Sequence, residues 1–299
     1  MKLLNLALVA LSVAANPNSY SNNVFILLSS SKFYFNYRHS INVLMMYKYL
    51  KDVGITDDQI ILMIPSDHGC SAKNPFPGTI YNTLEHDHTW LCDNIEVDYK
   101  AEDLTEDTIL NLLRGRYSDY FPASKRLKLN SESRIFIYFN GHGGENFFKI
   151  QDTELIHSED LGKTFQEMYA KGMYKEVFFI LDTCHASSLF DQLDAPNITM
   201  LSTARADESA LAVDTDYDLN VFMSDKFSGL LNEFLHEPNG YRSNSNFRMS
   251  DFTRYFTFDK VLSHVDITTT GSRPLQDIKF SEFFPLDKLQ DVIYGKGID

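Results

Sequence analysis

Positive charge is scarce in this chain of 299 residues: 27 Lys and Arg stand against 41 Asp and Glu, a formal net charge of −14. Binding a nucleic-acid backbone needs clustered cations, so no nucleic-acid partner is expected. Cysteine is scarce too. With three residues, Cys70, Cys92 and Cys184, an odd count leaves at least one thiol over. Beyond the first turns of the chain no apolar run reaches the ~18 residues of a membrane span. Internal repeats and low-complexity segments are missing as well, which excludes a solenoid reading.

What is present is enough apolar material for a sizeable core: 43% hydrophobic residues, 13% aromatic. The opening "MKLLNLALVALSVAANPNS" has one Lys, an apolar run and then small residues. That order reads as a secretory signal peptide over residues 1–15, with a buried N-terminal helix as the alternative. A secreted route makes Asn197-Ile-Thr, a glycosylation triplet, worth noting.

Apolar runs then alternate with helical patterns. "VFILLSS", "QIILMIP", "RIFIYFN", "EVFFILD" and "ITMLSTA" read as strands. "YRHSINVLMMYKYLKDVG" reads as a helix ended at Gly54, and "SEDLGKTFQEMYAKG" as one started by Ser158 and ended by Gly172. A further helix is expected near Thr105–Arg114, and amphipathic helices over Leu219–His236 and Ser250–Val265. The stretch from Ser66 to about Asp103, rich in Pro, Gly, His and Asp, reads as long loops. Strands buried on both faces and separated by helices imply an α/β fold: a mainly parallel sheet with helices on both faces. No boundary divides residues 16–299, which read as one domain.

Two strands exit into chemistry. "RIFIYFN" runs into Gly141-His142-Gly143-Gly144, and "EVFFILD" runs into Thr183-Cys184-His185. Right-handed crossovers put both exits on one sheet edge, where ligands bind in open α/β sheets. Adjacent parallel strands lie about 4.8 Å apart, so if the two strands are neighbours an imidazole and a thiol emerge side by side. That pair suits nucleophilic catalysis, with Cys184 as nucleophile and His142 as base. A His some 40 residues upstream of a Cys is also similar to the order in caspase-type peptidases. Taken alone, Cys184 reads as a small core residue and His142 as a turn residue. His185 is a competing base, ranked below His142 because adjacent side chains diverge. The backbone N–H groups of Gly143 and Cys184 are candidates for an oxyanion hole, since glycine lets a carbonyl approach bare donors.

Together "FNYRH" (35–39), "GHGGENFFKIQD" (141–152) and "LDTCHASSL" (181–189) resemble the legumain-type cysteine peptidases, which have a caspase-like fold. The resemblance covers nearly the whole mature chain. Gly rather than Asp before His142, and Asp-Thr-Cys rather than Glu-Ala-Cys at the nucleophile, are similar to the branch that attaches GPI anchors. For that branch the resemblance implies a transamidation. The thiolate cleaves the C-terminal signal of a precursor protein through a thioester, and the ethanolamine amine of a GPI lipid receives the new C-terminus. It implies Asn36 as the residue orienting the catalytic His, and Arg38, Asp182 and Ser202 as a substrate pocket. Asn36 also reads as the cap of the helix that follows. Cys70 would join a partner subunit of a membrane-bound complex in the endoplasmic reticulum, a reading its Gly- and Pro-flanked loop also favours. A Cys70–Cys92 pair is the alternative. Members of this branch often finish in a membrane helix where this sequence has "VIYGKGID"; either the sequence is truncated or the helix is lacking, and membrane attachment would then come through the partner subunits.

Asp57, Glu96 and Asp98 offer oxygen ligands of the kind calcium takes, a structural role, since the chemistry itself calls for no cofactor. Two other functions remain open on sequence: an asparaginyl endopeptidase that hydrolyses its thioester, and a catalytically silent assembly subunit.

Overall fold

Strand β5, Arg134–Asn140, lies at the middle of a six-stranded sheet and is the strand around which the fold is laid. The computed structural model describes residues 20–86, 89–91, 95–118, 120–236 and 246–285. The leader segment, Cys92 and the last residues of the chain lie outside that set.

The sheet order is β13-β10-β9-β5-β1-β2, where β1 is Asn23–Ser29, β2 Ile60–Met63, β9 Glu176–Asp182, β10 Ile198–Ser202 and β13 Asp266–Thr269. The first five strands by sequence pair in parallel, and β13 closes one edge antiparallel to β10. Side chains alternate between two cores as the two-residue period of a strand requires. Phe25, Leu27, Phe136, Tyr138, Phe178 and Ile180 face one, and Ile26, Leu28, Ile137, Phe139, Phe179 and Leu181 face the other. With both faces buried, these strands are continuously apolar.

Helix α1, Tyr37–Asp52, packs on the first face with α5, Lys226–His236. Helices α2, Glu106–Leu113, and α3, Ser158–Ala170, pack on the other. Helix α1 buries more than one stripe, because it lies against the sheet and also against strand β12, Val221–Asp225. It ends where Gly54 takes φ +85°, a left-handed value that lets Ile55 N–H reach back to Leu50 O at 2.9 Å.

Several expectations need correcting. The span Leu219–His236 is not one helix: its first part is β12, which pairs antiparallel with β11, Ala212–Asp216, before α5 begins. The span Ser250–Val265 breaks into α6, Phe252–Tyr255, and α7, Phe258–Val261, the latter stopped by Leu262 at φ +62°. Ser158 is the first residue of α3 rather than its cap; its Oγ instead accepts from Gln192 N–H. The loop-rich region after β2 contains a hairpin of β3, Thr79–Tyr81, and β4, Thr89–Leu91. After β5 comes an unforeseen meander: β6, Gly143–Gly144, β7, Phe147–Ile150, and β8, Glu154–His157.

Candidate active site

Three adjacent strands, β1, β5 and β9, end at the same sheet edge and deliver three of the sequence-predicted residues in spatial order. The β1–α1 connection carries Asn36, β5 exits to His142, and β9 exits to Cys184. In the β5–β9 register Asn140 stands opposite Asp182. The ladder runs one residue further, since Gly141 N–H reaches Asp182 O at 3.3 Å. His142 and Cys184 are therefore each two residues past a matched pair, one strand spacing apart.

The imidazole is held from behind. Nε2 of His142 lies 2.9 Å from Oδ1 of Asn36, a fully buried residue whose Nδ2 donates to Lys32 O at 2.7 Å. Amide oxygen accepts only, so Nε2 carries the proton and Nδ1 is the free, basic nitrogen. Asn36 occupies the N-cap position of α1 but makes no side-chain cap bond; the ring takes its oxygen. Burial, then the Arg38 charge, push His142 below the ordinary histidine pKa, with Asp152 and Asp225 opposing. The ring is thus neutral at pH 7, the form a base needs.

The glycines have a packing reason. A Cβ on Gly141 would fall 2.0 Å from Ser30 Oγ, and one on Gly143 would fall 2.6 Å from Thr183 Oγ1 and 3.0 Å from the Cys184 carbonyl. Close approach to Ser30 at the β1 exit needs hydrogen at Gly141, and close approach to the Cys184 loop needs it at Gly143. His142 O accepts from Lys149 N–H at 2.9 Å, so by antiparallel alternation the next N–H, that of Gly143, turns away from β7. Cys184 is partly exposed, its Sγ 3.9 Å from Ala210 O. His185 points elsewhere: it takes φ +55° and bonds Ala206 O through Nδ1.

Behind the ring lies a polar network that pattern reading missed. His39 is buried, its ring meets the His142 ring edge to face at 4.8 Å, and its Nδ1 lies 2.8 Å from Ser31 Oγ. Burial above all, then Arg38, hold its pKa well down. Asp225, also buried, accepts from Arg38 Nε at 2.9 Å, Asn42 Nδ2 at 2.7 Å and Asn140 Nδ2 at 3.3 Å. Arg38 lines a cavity of about 400 Å³ together with Phe35, Asn36, His142 and Phe222. Of the other expected pocket residues, Ser202 lies within β10 and is buried. Asp182 is buried too, and accepts from Tyr138, Thr203 and Ser228 hydroxyls beneath the Cys184 loop. Burial, then the neighbouring Asp225, push its carboxyl above the ordinary carboxylate range. Neither side chain reaches the cavity, because strand direction aims both inward.

Away from this edge, Cys70 is exposed, its N–H on the Asp67 carboxylate at 3.1 Å. Asn197 sits half-exposed at φ +65° just before β10. Asp57 accepts from Lys51 and Tyr47 at 2.6 and 2.7 Å, while Asp98 accepts from Leu62 N–H at 2.8 Å. Glu96 and Asp57 both act on Asp98 electrostatically. Among the described residues, however, no group of three or more His, Cys, Asp and Glu side chains is placed to hold a metal ion. No helix among them is long and apolar enough to cross a membrane.

Known proteins resemble this chain over most of its length. Residues 23–242 match the peptidase C13 family. The chain is 38% identical to the GPI-anchor transamidase of Saccharomyces cerevisiae, over 97% of this chain and 72% of that protein. It is 36% identical to that of Schizosaccharomyces pombe, over 94% and 73%, and 37% identical to that of Mus musculus, over 74% and 56%. The chain belongs to the peptidase C13 family.

Proposed function

We propose that this C13-family chain is the catalytic subunit of a GPI-anchor transamidase, with Cys184 as nucleophile, His142 as its base and Asn36 as the group that orients the base. The observation that carries the assignment is the Asn36–His142 hydrogen bond one strand away from Cys184. The activity named for its relatives supports the reaction.

Nδ1 of His142 takes the Cys184 proton, and the thiolate adds to the carbonyl carbon at the attachment site of a precursor. The N–H groups of Gly143 and Cys184 receive the oxyanion. The C–N bond then breaks, His142 returns its proton to the departing amine, and a thioester remains. The ethanolamine amine of a GPI lipid adds to that carbonyl and gives its proton to His142. The thiolate leaves, and a new amide joins protein to lipid. Each step uses side chains and backbone donors of this chain.

The site of action is the lumen of the endoplasmic reticulum, with membrane association through partner subunits. Cys70, exposed on a loop, is the link to one of them. A calcium ion at Asp57, Glu96 and Asp98 would be structural. As they stand the three side chains form no cluster placed to hold it, so Asp57 would have to leave Lys51 and Asp98 the Leu62 N–H. The test is Cys184→Ala in the assembled complex. Loss of GPI transfer with assembly intact is expected; near-normal transfer overturns the assignment. Hydrolysis of precursor with no dependence on GPI would make the chain an endopeptidase.

A further inference from the structure

The turn that carries Cys184 is held from outside. The next residue, His185, takes φ +55°, a left-handed value that a non-glycine residue rarely adopts. Such a conformation persists where the surroundings over-determine it. Here the surroundings are the loop that follows β10. Glu208 O accepts from His185 N–H at 2.8 Å, Ala204 O accepts from Ser187 N–H at 3.0 Å, and Ala206 O meets His185 Nδ1. Ala210 O, further along the same loop, is the group 3.9 Å from Cys184 Sγ. Four carbonyls of one loop therefore face the Cys184 turn.

The loop in turn hangs on one carboxylate. Glu208 closes a tight turn with Arg205 from both sides: its N–H donates to Arg205 O at 3.0 Å, and its Oε2 accepts from Arg205 N–H at 3.1 Å. The same Oε2 accepts from His264 N–H at 2.8 Å, and Oε1 meets His264 Nδ1. His264 lies 56 residues further on, just before β13, so the carboxylate ties the loop to a separate segment. Burial opposes ionisation of Glu208, but the bonds from His264 and Arg205 outweigh it and hold the carboxyl below its ordinary value. An ionised carboxylate only accepts, so His264 Nδ1 carries the proton. Three N–H donors on one carboxylate are charge-assisted bonds, stronger than neutral ones. Ser263 Oγ donates to Thr203 O at 2.6 Å and Arg205 pairs with Asp266 at 2.8 Å, which fastens the start of the loop to the same segment.

We propose that Glu208, fastened by His264, is a positioning residue for the nucleophile: it fixes the loop whose carbonyls impose the His185 conformation, and so aims the Cys184 thiol at His142 and the Cys184 N–H at the oxyanion. The proposal rests on the reading of Cys184 and His142 as the reactive pair. Glu208 touches neither of them; it acts through its own carbonyl and that of Ala206. Among the described residues, those of this loop do not line the cavity at Arg38, so the clamp bears on the reacting groups rather than on that cavity.

The experiment uses the assembled complex, with each variant assayed well below its thermal midpoint. Cleavage of a short precursor peptide gives kcat and KM, and mass spectrometry of the Cys184 peptide gives its rate of alkylation by iodoacetamide at pH 7. Glu208→Ala is expected to lower kcat about 10- to 100-fold and to leave KM within about threefold, the split that a misaimed nucleophile gives. Alkylation of Cys184 should slow several-fold, because the thiol moves away from its base. In Glu208→Gln the amide oxygen can take the place of Oε2 and His264 can present its other tautomer, so kcat should stay within about threefold of wild type. His264→Ala keeps both backbone bonds to Oε2 and covers the case in which Glu208→Ala does not assemble; it is expected to lose about three- to tenfold in kcat. A thermal midpoint lowered in Glu208→Ala with kcat and alkylation both within twofold of wild type overturns the clamp and leaves Glu208 a structural residue. So does a Glu208→Gln variant as poor as Glu208→Ala, or a His264→Ala variant with kcat within twofold. Slowed alkylation of Cys184 with kcat unchanged would leave the clamp standing and overturn Cys184 as the nucleophile.

Discussion

Asn36 Oδ1 lies 2.9 Å from Nε2 of His142, and the two residues are 106 positions apart in the chain. The bond fixes both the tautomer and the direction of the ring, so its loss is a loss of orientation. Asn36→Ala is expected to lower kcat about 10- to 100-fold, the scale of a misplaced catalytic group. Thermal unfolding should move modestly, because the Ala variant also leaves Lys32 O without its donor. Steady-state kinetics beside a melting curve check both; a kcat within twofold of wild type would remove Asn36 from the machinery.

The His142 loop lies against the Cys184 loop at Gly143, which leaves little room for a side chain there. A Cβ there would stand 3.0 Å from the Cys184 carbonyl and 3.1 Å from the Phe147 carbonyl, neither of which is a flexible group. Gly143→Ala is expected to push the two loops apart and cost more than tenfold in kcat, since reacting atoms must sit within about 3.5 Å. Near-normal kcat in a folded Gly143→Ala variant would show that the loops have slack.

Burial and Arg38 lower the His142 pKa, while Asp152 raises it. A base works only when unprotonated, so the acid limb of kcat/KM is expected below the ordinary histidine value of about 6.5. Removing the nearby cation in Arg38→Gln should move that limb to higher pH. Removing the anion in Asp152→Asn should move it lower. Lys149, Asp225 and neutral His39 also face the ring; Asp225 loses its Arg38 partner in the first variant and Lys149 its Asp152 partner in the second, each reinforcing the expected shift. Shifts of the same sign in a pH–rate profile would place another group in control of the limb.

How much of this could be read beforehand follows from where the constraint lies. "RIFIYFN" and "EVFFILD" became β5 and β9 residue for residue, because burial on both faces leaves a continuous apolar run with no rival period. Their exits carry His142 and Cys184, so the arrival of both residues at one sheet edge was legible as well. β12 was not. Its five residues precede α5 directly, and the joined stretch mimics one amphipathic helix. Asp225 meets Arg38 across 187 residues, a pairing no local pattern encodes. Asp182 and Ser202 were expected in the pocket only because the family resemblance implies them. A strand end fixes position, while the side chain's face depends on alternation, and here it is inward for both.

Cys70 tests the partner reading. It is exposed, two residues beyond the buried His68, which anchors the start of its loop among Tyr34 and Tyr37. A covalent heterodimer is expected on non-reducing electrophoresis of the native complex, and it should vanish in Cys70→Ser. A monomeric band from wild type, with a Cys70–Cys92 peptide in its digest, would show that the two cysteines pair within the chain.

Asp98 is buried with Glu96 and Asp57 nearby, and its carboxyl is pushed up to about 6, first by burial and then by those like charges, against the Leu62 N–H. The unfolded value is near 3.8, so the folded chain holds this proton more tightly. Stability is therefore lost as pH rises from about 4 through about 6, and at pH 7 the ionised group costs on the order of 3 kcal/mol. Asp98→Asn keeps an acceptor for Leu62 N–H and removes the charge. It is expected to flatten the loss between pH 4 and 6 and to raise stability at pH 7 in the presence of a chelator. A calcium ion would offset the same repulsion, so calcium should raise the thermal midpoint of the wild type and leave that of Asp98→Asn unmoved. Denaturant unfolding across pH 4 to 7, with chelator and then with calcium, separates the two effects. If calcium leaves the wild type unmoved while Asp98→Asn still gains stability, the acidic group is a cost of the fold and holds no ion.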